Sequence, residues 1–161
     1  MIIEVQKNLL ETECDIIAHQ TNCVGVMGAG VARQIRDKLL SGVEYDSYRK
    51  LCAKHGSSLL GTVQCLSAKN GKIIFNLFGE DVPTGQGLDT DYAALKRAMR
   101  ELKTYAEAYD MSISMPGLIG CGLAGGDWEI VYEMINDVFG DSKVMVEICY
   151  LPEFYERRGG K

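Results

Sequence analysis

Short continuous apolar runs and longer stretches with helical spacing take turns along this chain. Ile2 to Val5 predicts a short first strand, and Asp15 to His19 predicts a buried strand that feeds a glycine-rich loop. Helical character begins near Gly28, with Val31, Ile35 and Leu39 on one stripe. A second helical segment runs from about Glu44 to His55 and puts Tyr45, Tyr48, Leu51 and Cys52 on one face. Leu60 to Leu66 and Lys72 to Leu77 predict two strands joined at Asn70-Gly71, a strong hairpin signal. Gly79 to Gly87, with Pro83 inside it, predicts a loop. The next helix can be capped by Thr90 or Asp91 and carries Tyr92, Leu95, Met99, Leu102, Ala106 and Tyr109 on its apolar face. Met111 to Met115 predicts a strand, and after a second glycine loop a helix turns Val131, Met134, Ile135 and Val138 inward. Lys143 to Leu151 predicts the last strand.

Strands alternate with helices apart from one hairpin. That order predicts an α/β sandwich with a mixed sheet. No internal repeat or linker interrupts it, so residues 1–155 are expected to form a single domain, with 156–161 a frayed tail.

The two glycine loops carry most of the chemical information. One runs from His19 through Asn22, Gly25, Gly28, Ala29 and Gly30 to Ala32, and the other from Met115 through Gly117, Gly120, Gly122, Gly125 and Gly126 to Trp128. Each sits where a βα loop opens into a helix. Such loops offer bare backbone N–H groups, and the helix start adds the positive end of a dipole. Two of them facing one cleft make a cradle for a diphosphate with a sugar attached. Neither is a Walker A loop, because no Gly-Lys-Ser/Thr follows, and neither has the spacing of a dinucleotide fingerprint.

Composition sharpens this reading. Glycine supplies 18 of 161 residues, roughly 11% against a usual 7%, and the excess lies in these loops and in 79–87. The formal charge of −5 argues against a protein that neutralises a nucleic-acid backbone. It leaves room for a small anion held by backbone amides. Six cysteines without a Cys-x-x-Cys pair point to reduced thiols in the cytoplasm, with Cys14, Cys65 and Cys149 packing as small hydrophobes in strand-like runs. No basic and apolar leader is read at the N-terminus, and no apolar run approaches a membrane span. Two isolated histidines and scattered cysteines supply no metal cluster.

At Asp-Ile-Ile-x-His-Gln-x-Asn (15–22), Gly-Val-Met-Gly-Ala-Gly-Val-Ala (25–32), Asn76 to Gly79, Asp91-Tyr92 and Ile119 to Trp128, the chain resembles a macrodomain, the ADP-ribose-binding module. The resemblance covers about residues 1 to 151. It is strongest to a microbial and phage-type branch similar to ADP-ribose 1″-phosphate phosphatases and terminal ADP-ribose protein glycohydrolases. It implies a three-layer α/β/α sandwich with a mixed central sheet. It also implies that Asn22 contacts the distal ribose, and that Gly28, Ala29, Gly30 and Val31 form the first phosphate loop. Gly120, Cys121, Gly122, Leu123, Ala124 and Gly125 would wrap the diphosphate. Asn8 and Leu9 would read adenine, with Leu151 flanking the ring.

Departures from the family pattern matter as much. Asn8 stands where many macrodomains carry Asp. Ala32 stands where one hydrolase branch has an Asp, and Ala124 where the glycohydrolase branch has one. No lysine stands between Lys72 and Lys96, so a lysine-adduct mechanism does not carry over.

The catalytic candidates are Asn22, His19, Asp127 and Asp81, and each has a structural alternative. His19 can move a proton, orient Asn22, or serve only to bond its neighbours. Asp127 can aim at a water beside the distal ribose or cap a helix. Asp81, like Glu80 beside it, can activate water or be a solvated loop carboxylate. Trp128 can anchor the core or stack on a ring. Cys23 and Cys121 lie in binding loops without a motif that would lower a thiol pKa. The expected activity is hydrolysis of a phosphate or ester bond at the distal ribose, with no cofactor and no metal. The expected partner is ADP-ribose or a derivative, free or on a protein, met by a monomer with no nucleic acid or membrane involved. The alternatives are a non-catalytic reader of ADP-ribose and a nucleotide-binding α/β protein with another ligand.

Overall fold

The computed structural model describes residues 1–157. Six strands form one sheet: β1 (Ile2–Gln6), β2 (Ile16–Asn22), β3 (Val63–Ser67), β4 (Ile73–Glu80), β5 (Ile113–Pro116) and β6 (Val146–Tyr150). Five helices accompany them: α1 (Gly30–Leu39), α2 (Gly42–His55), α3 (Tyr92–Tyr109), α4 (Trp128–Phe139) and α5 (Pro152–Arg157). The strand order is β1-β6-β5-β2-β4-β3. All neighbours are parallel except β3, which runs antiparallel to β4 through the expected hairpin.

Both faces of the sheet are covered, which is why β2 opens on consecutive apolar residues, Ile16-Ile17-Ala18. On one face Ile16, Ala18, Phe75, Leu77, Ile113, Met115, Val146 and Ile148 pack with Leu95, Met99 and Leu102 of α3 and Val131 and Ile135 of α4. On the other, Ile17, Ile74 and Phe78 pack with Ile35 and Leu39 of α1 and Tyr48 and Cys52 of α2. This is the expected α/β/α sandwich with a mixed central sheet. The parallel connections place the chain segments after β1, β2, β4, β5 and β6 along one edge of the sheet, where open α/β folds bind ligands.

Some boundaries differ from the sequence reading, each for a tertiary reason. The strand expected to end at Leu77 runs on to Glu80, because Gly79 O accepts from Asp91 N and Glu80 bridges to Thr90. Asp91, not Thr90, caps α3 through a bond from Ala94 N. Tyr109 is 63% exposed rather than part of the packed face of α3. Cys65, expected to pack as a hydrophobe, is exposed on the edge strand β3. Glu156 and Arg157, placed by sequence in a frayed tail, belong to α5, and the remainder of that tail lies outside the described residues. Among the described residues all six cysteines are free, and no helix is long and apolar enough to cross a membrane.

Candidate functional site

A groove of about 550 Å³ crosses the carboxyl edge of the sheet. It begins at Lys7, Asn8 and Leu9 after β1, passes Cys149, Leu151 and Phe154 beside β6, and runs between the two glycine loops. It ends at Glu80, Pro83 and Asp89 beyond β4. The sheet order gives this groove a direction: one end lies at β1 and the other at β4.

The first glycine loop leaves β2 at a bulge between Thr21 and Asn22. Asn22 organises it. Its Oδ1 accepts from Val24 N at 3.2 Å, Val26 N at 3.3 Å and the Tyr48 hydroxyl at 2.8 Å, while its Nδ2 donates to Val26 O at 2.7 Å. Cys23 N donates to Asp81 O, which ties the loop to the chain beyond β4. The loop then opens α1 at Ala29, which offers no side-chain cap. The N–H groups of a first helical turn have no partner within the helix. Gly28, Ala29, Gly30, Val31 and Ala32 all line the groove there, so donors and the positive end of the helix face it.

The second loop needs glycine for contact as well as for conformation. A Cβ at Gly117 would overlap the Tyr150 ring. Gly125 has φ +75°, and a Cβ there would overlap the Gly87 carbonyl. Thr90 fixes this loop against the central one. Its hydroxyl donates to Gly120 O at 2.6 Å and accepts from Gln20 Nε2 at 2.9 Å, and its N–H donates to Ala124 O. Leu118 takes φ +66°, uncommon for a residue with a side chain, at the lip of the groove. Gln20 Oε1 and Thr21 Oγ1 are buried on residues lining the groove and have no protein hydrogen-bond partner.

At the β1 end, Asn8 caps a short 3-10 turn over Leu9–Glu11 by accepting from Leu10 N. Lys7 is ion-paired at 3.1 Å with Glu147, which also accepts from the Thr12 hydroxyl. Burial pushes the Glu147 carboxyl up, but these donors outweigh it and hold the group below the usual carboxylate range.

Of the binding residues expected from sequence, Asn8, Leu9, Asn22, Gly28, Ala29, Gly30, Val31, Gly120, Gly122, Leu123, Ala124 and Leu151 line the groove. Cys121 and Gly125 do not: the Cys121 thiol turns to Ile119 O, and Gly125 packs on the central loop. The catalytic candidates separate more sharply. Asn22 borders the groove. His19 borders it too but is almost wholly buried, with Nε2 2.7 Å from Asn76 Oδ1. Burial pushes its pKa down to about 4, so the ring is neutral near pH 7. Asp81 and Asp127 lie outside the groove lining. Asp81 accepts from the Ser57 hydroxyl, and Asp127 caps α4 by accepting from Glu129 N. Trp128 packs edge-on against Tyr132 and Tyr150 and does not line the groove, which makes it an anchor. Burial pushes the Cys23 and Cys121 thiols up to about 12, which removes the thiolate a nucleophile requires.

Glu80, Asp89 and Phe154 are among the groove residues that the sequence reading did not single out for binding. Glu80, weighed as a loop carboxylate, closes β4 and lines the groove; burial and then the charge of Asp89 push its carboxyl up. Asp89 is held below the usual range by Thr84 and Gly85 donors. Phe154 comes from α5, whose sequence signal was Pro152 at a first helical position. Among the described residues no three His, Cys, Asp or Glu side chains are grouped to hold a metal ion.

Comparison with known proteins agrees with this geometry. A curated relative from Saccharomyces cerevisiae named ADP-ribose 1″-phosphate phosphatase is 29% identical over 154 residues, covering 86% of this chain and 85% of its own length. A Mycobacterium tuberculosis protein named DNA ADP-ribosyl glycohydrolase is 27% identical over 164 residues; 94% of this chain is matched, but the chain spans only 42% of that longer protein. The solved macrodomain of Mycobacterium tuberculosis DarG superposes with a TM-score of 0.79 at 24% identity, over 94% of this chain and 98% of that one, a likeness of fold. The family profile described as Macro domain matches residues 18–135, which span both glycine loops and the whole of β3, β4 and β5. The chain belongs to the Macro domain family.

Proposed function

We propose that the groove binds ADP-ribose derivatives and that the protein hydrolyses a bond at the distal ribose, as an ADP-ribose 1″-phosphate phosphatase or an ADP-ribosyl ester hydrolase. The observation that carries this reading is the pair of glycine loops on opposite walls of one groove, one of them opening an uncapped helix start. The name of the yeast relative, matched over most of its length, points the same way.

In this reading adenine lies at Asn8, Leu9, Leu151 and Phe154. The diphosphate sits between Gly28–Val31 and Gly120–Ala124, and the distal ribose reaches Asn22 and Glu80. Backbone donors then supply orientation and oppose developing negative charge. Glu80 is the carboxylate placed to take a proton from water. The water oxygen attacks, and the leaving group departs with the electron pair of the broken bond. His19 acts on the site only through Asn76 and the β2–β4 pairing. The protein works as a cytoplasmic monomer on free or protein-linked ADP-ribose, without metal or cofactor.

A second reading, a reader that binds ADP-ribose without turnover, is favoured by one observation. The Asn22 side-chain oxygen is already committed to three donors of its own fold. Calorimetric titration with ADP-ribose, and with AMP and ADP as controls, tests the shared part. Selective micromolar binding supports the ADP-ribose groove, and binding no better than ADP overturns it. Release of phosphate or of an ester-linked group by the wild-type protein then separates enzyme from reader.

A further inference from the structure

Glu80 is the β-ladder partner of Asn22, on the next strand, at the end of the groove farthest from β1. Asp89 also borders that end, and Thr84 and Gly85 donors keep it ionised. Among the described residues that line the groove, Lys7 is the only cation. It lies at the β1 end and is paired with Glu147. Four strand spacings separate β1 from β4, roughly 19 Å at about 4.8 Å each. That exceeds the screening length of roughly 8 Å at physiological salt, so Lys7 offsets little charge there. On α1, Arg33 and Arg36 are both paired with Asp37.

The groove is therefore electrostatically lopsided. Its middle is built for anions, through open amides and a helix start. Its far end carries two carboxylates without a matching cation. We infer that Glu80, with Asp89, makes this end select against a phosphate on the distal ribose, so that the groups accepted there are uncharged or cationic. The inference rests on the ADP-ribose reading and narrows it from phosphatase toward hydrolysis of uncharged ADP-ribosyl derivatives. Burial and, after it, the charge of Asp89 push the Glu80 carboxyl up, in keeping with two carboxylates set at one end of the groove. A phosphate dianion at the ribose 1″ position would add to that repulsion, and like charges set close together are strongly disfavoured.

The test is calorimetric titration of ADP-ribose and of ADP-ribose 1″-phosphate into the wild-type protein and Glu80→Gln. The wild type is expected to bind the 1″-phosphate at least about tenfold more weakly than ADP-ribose, since one decade is a modest like-charge effect. Glu80→Gln is expected to narrow that gap several-fold, mainly by tightening the 1″-phosphate. Equal or tighter binding of the 1″-phosphate by the wild type, release of inorganic phosphate during the titration, or an unchanged gap in the variant would each overturn the inference. Those outcomes leave the ADP-ribose groove standing. Failure of ADP-ribose itself to bind would overturn both.

Discussion

His19 Nε2 donates to Asn76 Oδ1 over 2.7 Å, inside the sheet and out of reach of bulk water. The tautomer follows from the network, because Asn76 uses its own amide N–H on Gln64 Oε1 at 3.1 Å. A polar ladder thus crosses β2, β4 and β3 within an otherwise apolar layer. The bond to Asn76 favours the protonated ring, but burial outweighs it and disfavours the charge.

That arrangement predicts acid sensitivity. The folded-state pKa of His19, about 4, lies below the ordinary histidine value of 6.5, so the unfolded chain holds the proton in that interval. The stability this group contributes is complete above pH 6.5 and is lost as pH falls through about 4. Between pH 7 and pH 5 the loss comes to about 2 kcal/mol. His19→Gln, which cannot ionise, is expected to show a flatter dependence than the wild type. Urea midpoints at the two pH values measure it, and parallel slopes for the two proteins would exclude the assignment.

Tyr48 supports the first glycine loop from beneath. Its hydroxyl lies 2.9 Å from Asn22 O and 2.8 Å from Asn22 Oδ1, both buried acceptors. Tyr48→Phe keeps the ring and removes the donor. A stability loss of about 1–3 kcal/mol is expected, with weaker ADP-ribose binding because the loop loses its brace. Chemical denaturation and calorimetry on the same preparation read the two effects.

Asn22 itself separates the two readings of function. In the enzyme reading, Asn22→Ala lowers turnover far more than it weakens ADP-ribose. In the reader, the two losses are equal or the wild type shows no turnover. Steady-state rates set beside dissociation constants decide between them.

Asp127 and Asp81 are expected to be dispensable for chemistry. Asp127→Ala should cost about 1 kcal/mol through loss of the α4 cap. It should leave the affinity for ADP-ribose within about twofold, since the side chain does not line the groove. Asp81→Asn should retain turnover, whereas Glu80→Gln should lose most of it. A collapse of turnover in Asp81→Asn with intact binding would return the base to the loop.

Gly125→Ala addresses the second loop. The new Cβ would meet the Gly87 carbonyl at a backbone φ of +75°, so both the conformation and the packing resist it. A loss above about 2 kcal/mol is expected, with much weaker ligand binding, by thermal melts and titration.

Local chemistry made much of this readable in advance. Asn70-Gly71 announced the hairpin, Asp91 and Asp127 stood where helices begin, and the glycine clusters followed strands. What stayed hidden depends on partners distant in sequence. Glu80 looked like loop because the pairing that extends β4 involves Thr90 and Asp91. The commitment of the Asn22 amide depends on Tyr48, 26 residues away. Phe154 sits on a six-residue helix, too short to form without tertiary contacts, so Pro152 alone could not announce it. The direction of the Cys121 side chain was beyond sequence too, since the second loop doubles back on itself through Gly126 N to Gly120 O.

The Thr90 hydroxyl has a mechanical consequence. Thr90 joins the end of β2 through Gln20 and holds the second glycine loop twice, by its hydroxyl to Gly120 O and by its backbone N–H to Ala124 O. Force applied at 82–88 is thereby passed to the wall that cradles the ligand's midsection, and strain in that wall returns by the same route. The central segment and the second glycine loop are thus clamped together at two points, so neither can shift without straining the other.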